Sequence, residues 1–164
     1  MTYVNTDYKI TYFLKGNTAI ISKIENFNVS NVSNVGIVDN KNLNIPSTIP
    51  LGIPNAGKKI TGIMNLALYS LRRAGIENIT LPDTLSYIGK GTFYEFTALK
   101  TIILGKNITS IGDYAFYNCS SLSSPIVFPD SVTTIGDYAF NYCTSLINIT
   151  FPSTSKLTSI GDFA

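Results

Sequence analysis

The dipeptide Ile-Gly returns along this chain at Ile88-Gly89, Ile111-Gly112, Ile135-Gly136 and Ile160-Gly161, at intervals of 23, 24 and 25 residues. Three positions before each isoleucine stands another aliphatic residue, as Leu85, Ile108, Val132 and Leu157. After the glycine comes a small residue and then a large apolar one, as in Thr92-Phe93, Ala115-Phe116 and Ala139-Phe140. Ile60-Thr61-Gly62-Ile63, followed by Ala67-Leu68, is an earlier and degenerate copy. A unit of this length cannot bury its apolar residues alone, so the copies must stack and share one continuous core.

Between these landmarks lies a strand-like segment of the form L-x-x-I-x-L, as in Leu99-Lys100-Thr101-Ile102-Ile103-Leu104 and Leu146-Ile147-Asn148-Ile149-Thr150-Phe151. Ile76-Glu77-Asn78-Ile79-Thr80-Leu81 repeats it, and Leu122-Ser123-Ser124-Pro125-Ile126-Val127-Phe128 carries Pro125 as an inserted residue, which predicts a bulge. Pro82, Pro129 and Pro152 close three of these strands where a fixed φ turns the chain. Each coil is therefore expected to be one strand, a turn, a second extended piece ending in Ile-Gly, and a short helical or 3₁₀ turn carrying the Ala-Phe pair. In-register stacking places Phe93, Phe116 and Phe140 in one interior column and Ile102, Ile126 and Ile149 in another. Leu71, Phe96, Cys119 and Cys143 form a third, so the cysteines are read as small buried apolar residues rather than a bridge.

Composition excludes much chemistry. Charged residues are 13% of the chain against a usual share of about 25%. The net charge is only +2, with no basic tract beyond Lys58-Lys59 and Arg72-Arg73, so no nucleic-acid partner is expected. Histidine is absent, which removes imidazole bases, Ser-His triads and His-ligated metals. No apolar run approaches the ~20 residues of a spanning helix, so membrane insertion is not expected, and Met1 to Asp7 shows no export signal. Sequons at Asn28, Asn31, Asn78, Asn107, Asn118 and Asn148 are read as chance in an Asn-rich chain.

The pattern Φ-T-S-I-G-D-Y-A-F-x-x-C-x-S-L, carried by Ile108 to Phe116 with Cys119 and Leu122, and again by Val132 to Phe140 with Cys143 and Leu146, resembles the BspA-like, or treponemal-type, leucine-rich repeat. The match runs from about residue 60 to 164. Leu43 to Ile49 followed by Gly57 to Ile63 looks like the entry into the repeats, and the insertion Pro50 to Ala56 is expected to bulge out as a surface loop. The resemblance implies an all-β-dominated, right-handed leucine-rich repeat solenoid serving non-enzymatic adhesion and protein binding at a cell surface or after secretion. A structural subunit of a large assembly, such as a virion or sheath, is the alternative reading.

Residues 1–42 follow different rules. Tyr8, Ile10, Tyr12 and Leu14 alternate with polar residues, Lys15-Gly16-Asn17 breaks the run, and Ala19-Ile20-Ile21 resumes it, which predicts a β-hairpin capping the solenoid. Residues 26–42 are expected to be an irregular connector or a further short strand, with the solenoid spanning 43–164.

Four features invite a functional reading. Gly89-Lys90-Gly91-Thr92 has the look of a phosphate loop but lacks its frame and aligns with Gly112-Asp113-Tyr114-Ala115, so it is read as repeat sequence. Asp113, Asp137 and Asp162 would stack ~5 Å apart, either as caps of the Tyr-Ala-Phe turns or as a calcium column; capping is preferred and no cofactor is expected. Tyr94, Tyr114, Tyr117, Tyr138 and Tyr142 are expected to cover the Phe column. The outward strand positions, Asn78, Thr101, Ser124 and Asn148 in one column and Thr80, Ile103, Val127 and Thr150 in the next, form the candidate face for a protein or glycan partner. The sequence stops at Asp162-Phe163-Ala164, before the next expected core Phe, so further coils or a neighbouring subunit are expected to cover that end.

Overall fold

A computed structural model describes residues 2–4, 8–26, 37–38, 41–48 and 56–164. Strands Tyr8–Lys15 and Thr18–Asn26 form the hairpin, with Gly16 at φ 58° in the turn and a register shift between Thr11 and Tyr12. Thr2–Val4, which the alternation did not reveal, adds antiparallel to the outer edge. On its inner edge Thr18–Asn26 runs parallel to Lys59–Ile63, and from there Tyr87–Ile88, Ser110–Ile111, Thr134–Ile135 and Ser159–Ile160 follow one per coil. The hairpin and the Ile-Gly strands are thus one eight-stranded sheet among the described residues, and the hairpin covers the edge of the first coil.

Close approach explains why glycine follows each isoleucine. A Cβ on Gly112 would lie 2.6 Å from Lys90 N, and one on Gly136 would lie 2.5 Å from Asp113 N. The preceding coil's backbone fills that space, and neither glycine has a positive φ. Here glycine is required by strand spacing rather than by backbone freedom.

The second strand wall begins with Ile37–Val38, which lies within the expected connector and pairs antiparallel with Asn42–Asn44. Asn42–Asn44, Asn78–Thr80 and Thr101–Ile103 continue in parallel register. The wall then breaks. Ile126–Val127 and Ile149–Thr150 pair with each other as a separate two-stranded sheet. The break falls at Pro125, which has no N–H to donate. Before it, Ser123 and Ser124 N–H groups share the Lys100 carbonyl, as Lys100 and Thr101 share that of Glu77 one coil earlier; after it, Ile126 donates to Asn148. The extra residue moves the register by one, so Ser124 aligns with Thr101 whereas Pro125 aligns with Asn148. Residues 27–36 and 39–40 of the expected connector, and all of the Pro50 to Ala56 loop but Ala56, lie outside the described residues.

On the third wall the Ala-Phe segments are successive turns, not helices, except for one 3₁₀ turn at Tyr69–Leu71. The reason is a left-handed residue at two positions per coil: Tyr114 and Asn118 have φ of 55°, and Tyr138 and Tyr142 have φ of 54° and 59°. Amides then alternate in their partners. Tyr114, Phe116 and Asn118 donate to the next coil, at Asp137, Ala139 and Asn141, whereas Ala115, Tyr117 and Cys119 donate three residues back within their own coil. From Tyr114 to Cys119 each N–H is paired without a helix, which offsets the strain of the left-handed residues.

The core sits between these walls. Phe93, Phe116 and Phe140 stack with centroids 5.0 Å apart, and Ile79, Ile102 and Ile126 are buried in a parallel column. Ile149, at the last rung of that column, is exposed, as are Ile147, Ile160 and Phe163 of the same coil. Cys119 is fully buried, Cys143 half-buried, and both are free thiols. Each donates to the carbonyl of the preceding coil, Cys119 Sγ to Phe93 at 3.3 Å and Cys143 Sγ to Phe116 at 3.1 Å. The neighbouring Cys143 thiol and burial together push the Cys119 thiol well above its ordinary range.

Candidate functional site

The outward positions of the second wall divide at Pro125. Asn78 pairs in register with Thr101 and Thr80 with Ile103 on one sheet, and Val127 pairs with Thr150 on the other. Asn78, Thr101 and Ser124 are half-buried, whereas Thr80, Asn148 and Thr150 are exposed. Ile103 and Val127, 57% and 65% exposed, project from the two strands that flank the break. Because of the slip in register, the eight expected positions do not make two continuous columns.

A cleft of about 370 Å³ opens at the break, lined by Thr101, Ile103, Ser124, Pro125, Val127 and Pro129 among others. Its walls carry backbone groups as well as side chains. Leu81 N–H donates to the Ile103 carbonyl, so by the alternation of a parallel ladder the Ile102 amide and carbonyl point towards the break. Ile126 and Phe128 donate towards Ile149–Thr150, which directs the Val127 groups to the cleft from the other side. The site therefore combines two exposed aliphatic side chains, two hydroxyls and sheet-edge backbone groups. Beside it Lys41 and Lys100 both bind Glu77, at 2.8 and 2.9 Å, and hold its carboxyl below the usual range through these hydrogen bonds.

The aspartate column has a different role from the one expected. Asp113 Oδ1 accepts the Asp137 N–H at 3.2 Å, and Asp137 Oδ1 accepts that of Asp162 at 2.9 Å. Asn65 does the same for Lys90. Asp113 and Asp137 thus satisfy the next coil's backbone, and in the turn after Asp113 the Tyr114, Ala115 and Phe116 amides are already paired elsewhere. Among the described residues no three Asp, Glu, Cys or His side chains converge as a metal would require. In the Gly89 to Thr92 segment all four amides are occupied, by Ile63, Asn65, Asp113 and Gly89, which leaves none to cradle a phosphate.

The tyrosines, expected over the Phe column, pack on one another. Tyr114, Tyr138 and Phe163 form one stack with centroids 5.0 and 5.1 Å apart, and Tyr94 stacks on Tyr117 at 5.0 Å with rings 8° from parallel. Burial raises the phenols of Tyr94 and Tyr117 above their ordinary range. Tyr114, Tyr138 and Phe163 share one offset in three copies, which the sequence shows; that their rings stack is decided by the backbone.

Parallel coils of about two dozen residues, with three walls around an aliphatic and aromatic core, define a leucine-rich repeat solenoid. The BspA type leucine-rich repeat region matches residues 64–164 in six copies, and the chain belongs to that family. Domains of this kind are typically binding modules, and they generally bind proteins. A leucine-rich repeat protein from Bacteroides capillosus is similar to 93% of this chain over 99% of its own, with 21% identity and a TM-score of 0.70. A leucine-rich cell surface protein from Faecalibacterium prausnitzii matches 98% of the chain at 22% identity and a TM-score of 0.62. The pneumococcal vaccine antigen PcpA matches 98% at 25% identity and a TM-score of 0.68. The chain spans 50% of the Faecalibacterium protein and 40% of the pneumococcal antigen. No curated protein matches the sequence. Among the described residues no helix is long and apolar enough to cross a membrane.

Proposed function

We propose that this chain is a non-enzymatic adhesion module that works at a cell surface and binds a protein through the second strand wall, at Asn78, Thr80, Thr101, Ile103, Ser124, Val127, Asn148 and Thr150. The observation that carries the reading is the pair Ile103 and Val127, exposed on either side of the Pro125 break. Aliphatic side chains beside unpaired strand-edge groups suit an extended polypeptide, whose side chains take the apolar contact and whose backbone takes the hydrogen bonds. Surface display is supported by the similarity to the Faecalibacterium cell surface protein.

The test uses protein-coated beads on panels of immobilised extracellular proteins and glycans. Binding to a protein that is lost in the Ile103→Lys/Val127→Lys double variant and kept in Thr97→Lys, with unchanged melting temperatures, supports the proposal. Binding to glycans alone, no binding at all, or binding indifferent to the double variant overturns it.

A further inference from the structure

The aromatic stack on the turn wall has a missing rung. Leu66, Gly91, Tyr114, Tyr138 and Phe163 are equivalent positions: the first four donate their N–H to the next coil, at Lys90, Asp113, Asp137 and Asp162, and all five have φ between 54° and 59°. Three of these positions carry rings stacked about one coil apart. Gly91 carries none. The outer face of Tyr114, at the end of its stack, therefore looks across an empty rung towards Leu66.

That rung is a pocket of about 350 Å³ lined by Asn65, Leu66, Lys90, Gly91, Tyr94 and Tyr114. Gly91 is its floor, Tyr114 one wall and Leu66 the other; Leu66 leans in far enough that a Cβ on Gly91 would lie 2.7 Å from its Cδ2. As the far end of an exposed, flexible side chain, Leu66 can move aside. Lys90 Nζ stands 5.3 Å from the Tyr114 centroid and 3.4 Å from Asp113 Oδ2, and on a largely exposed side chain it can swing off the ring as a guest enters.

We infer that the Gly91 gap is a socket for one aromatic side chain of a partner polypeptide, which would enter as the missing rung and stack on Tyr114. The polar groups favour an aromatic ring over a sugar. Asn65 Oδ1 is held by the Lys90 amide and the Lys90 ammonium by Asp113, leaving little to bind a ring of hydroxyls. An aromatic guest needs only the stacking face and the apolar wall, and repeats the contact that Tyr138 makes on the other side of Tyr114. The socket lies on a different wall from the strand face of the proposed function and does not depend on it.

The probes are N-acetyl-tryptophanamide, the peptide Gly-Trp-Gly, free indole, N-acetyl-leucinamide and methyl β-glucoside, followed by amide shifts in two-dimensional NMR. Both tryptophan compounds are expected to shift Gly91 and Lys90 with millimolar affinity, and the leucine and sugar compounds to leave them unmoved. Gly91→Tyr fills the rung in a conformation that Tyr114 and Tyr138 already adopt, so it should keep the fold and weaken binding at least tenfold. Leu66→Ala, which trims the apolar wall but leaves the Tyr114 face open, should weaken binding less than Gly91→Tyr does. The inference fails if the tryptophan compounds cause no shift, if Gly91→Tyr binds them equally, or if the sugar competes. It also fails if indole binds and Gly-Trp-Gly does not, since the site would then take free aromatic molecules.

Discussion

Phe116→Ala removes the middle ring of the interior column. Phe116 is fully buried between Phe93 and Phe140, with centroids 5.0 Å away on both sides and rings 20° and 7° from parallel. Truncating a buried Phe costs about 3–5 kcal/mol through lost transfer energy and the cavity left behind. The upper half of that range is expected, because two stacked contacts go at once and the coils on either side are held apart by their own hydrogen bonds, so the cavity cannot collapse. In a domain of this size each kcal/mol moves the melting temperature by about 2–4 °C, which predicts a fall of roughly 8–20 °C. Thermal unfolding followed by circular dichroism measures it, with Phe140→Ala as comparison. Phe140 stacks on one ring, meets Phe128 edge-on at 5.9 Å and is 8% exposed, so its truncation should leave a less enclosed cavity and cost less. A midpoint within a degree of wild type for Phe116→Ala, or an equal loss for the two variants, would refute the stacked-column argument.

The other predictions concern the close approach of coils, the thiols, the aspartates and one carboxylate. Gly112→Ala should destabilise by about 1–3 kcal/mol or more, since its Cβ meets Lys90 and Gly89 backbone, whereas Gly16→Ala, with open space around it, should cost less; denaturant titration of both variants decides. Cys119 should resist a thiol reagent until the protein unfolds while the half-buried Cys143 reacts first, and mass spectrometry of the native labelled protein reads the order. Millimolar calcium should leave the melting temperature unchanged, whereas Asp113→Ala should lower it by removing the acceptor of the Asp137 amide; a rise with calcium would contradict the ladder. Glu77 is held below the usual carboxylate range by Lys41 and Lys100, so its contribution is present at neutral pH and is lost as pH falls through its lowered value; Glu77→Gln should flatten that part of the stability profile.

Much of this molecule is legible in one line of residues because a solenoid is nearly one-dimensional. The repeat spacing alone dictates which residues become neighbours, so Phe93, Phe116 and Phe140, or Leu71, Phe96 and Cys119, could be stacked from the sequence before any coordinate was known. Turn chemistry did the same for the hairpin, where alternation on both sides of Gly16 sufficed. What the sequence left open lies between coils rather than within them. Asp113 was expected to cap its own turn, as a local rule suggests, but the nearest unpaired amide belongs to the next coil, at Asp137. Pro125 was legible as an insertion, yet only the ladder shows that it splits the wall into two sheets and turns the backbone of Ile102 and Val127 towards a cleft. Tyr114 and Tyr138 were seen as a lid on the core. Their stacking, and the empty rung at Gly91, follow from left-handed backbone at that position, which directs side chains along the solenoid and which no spacing of residue types encodes.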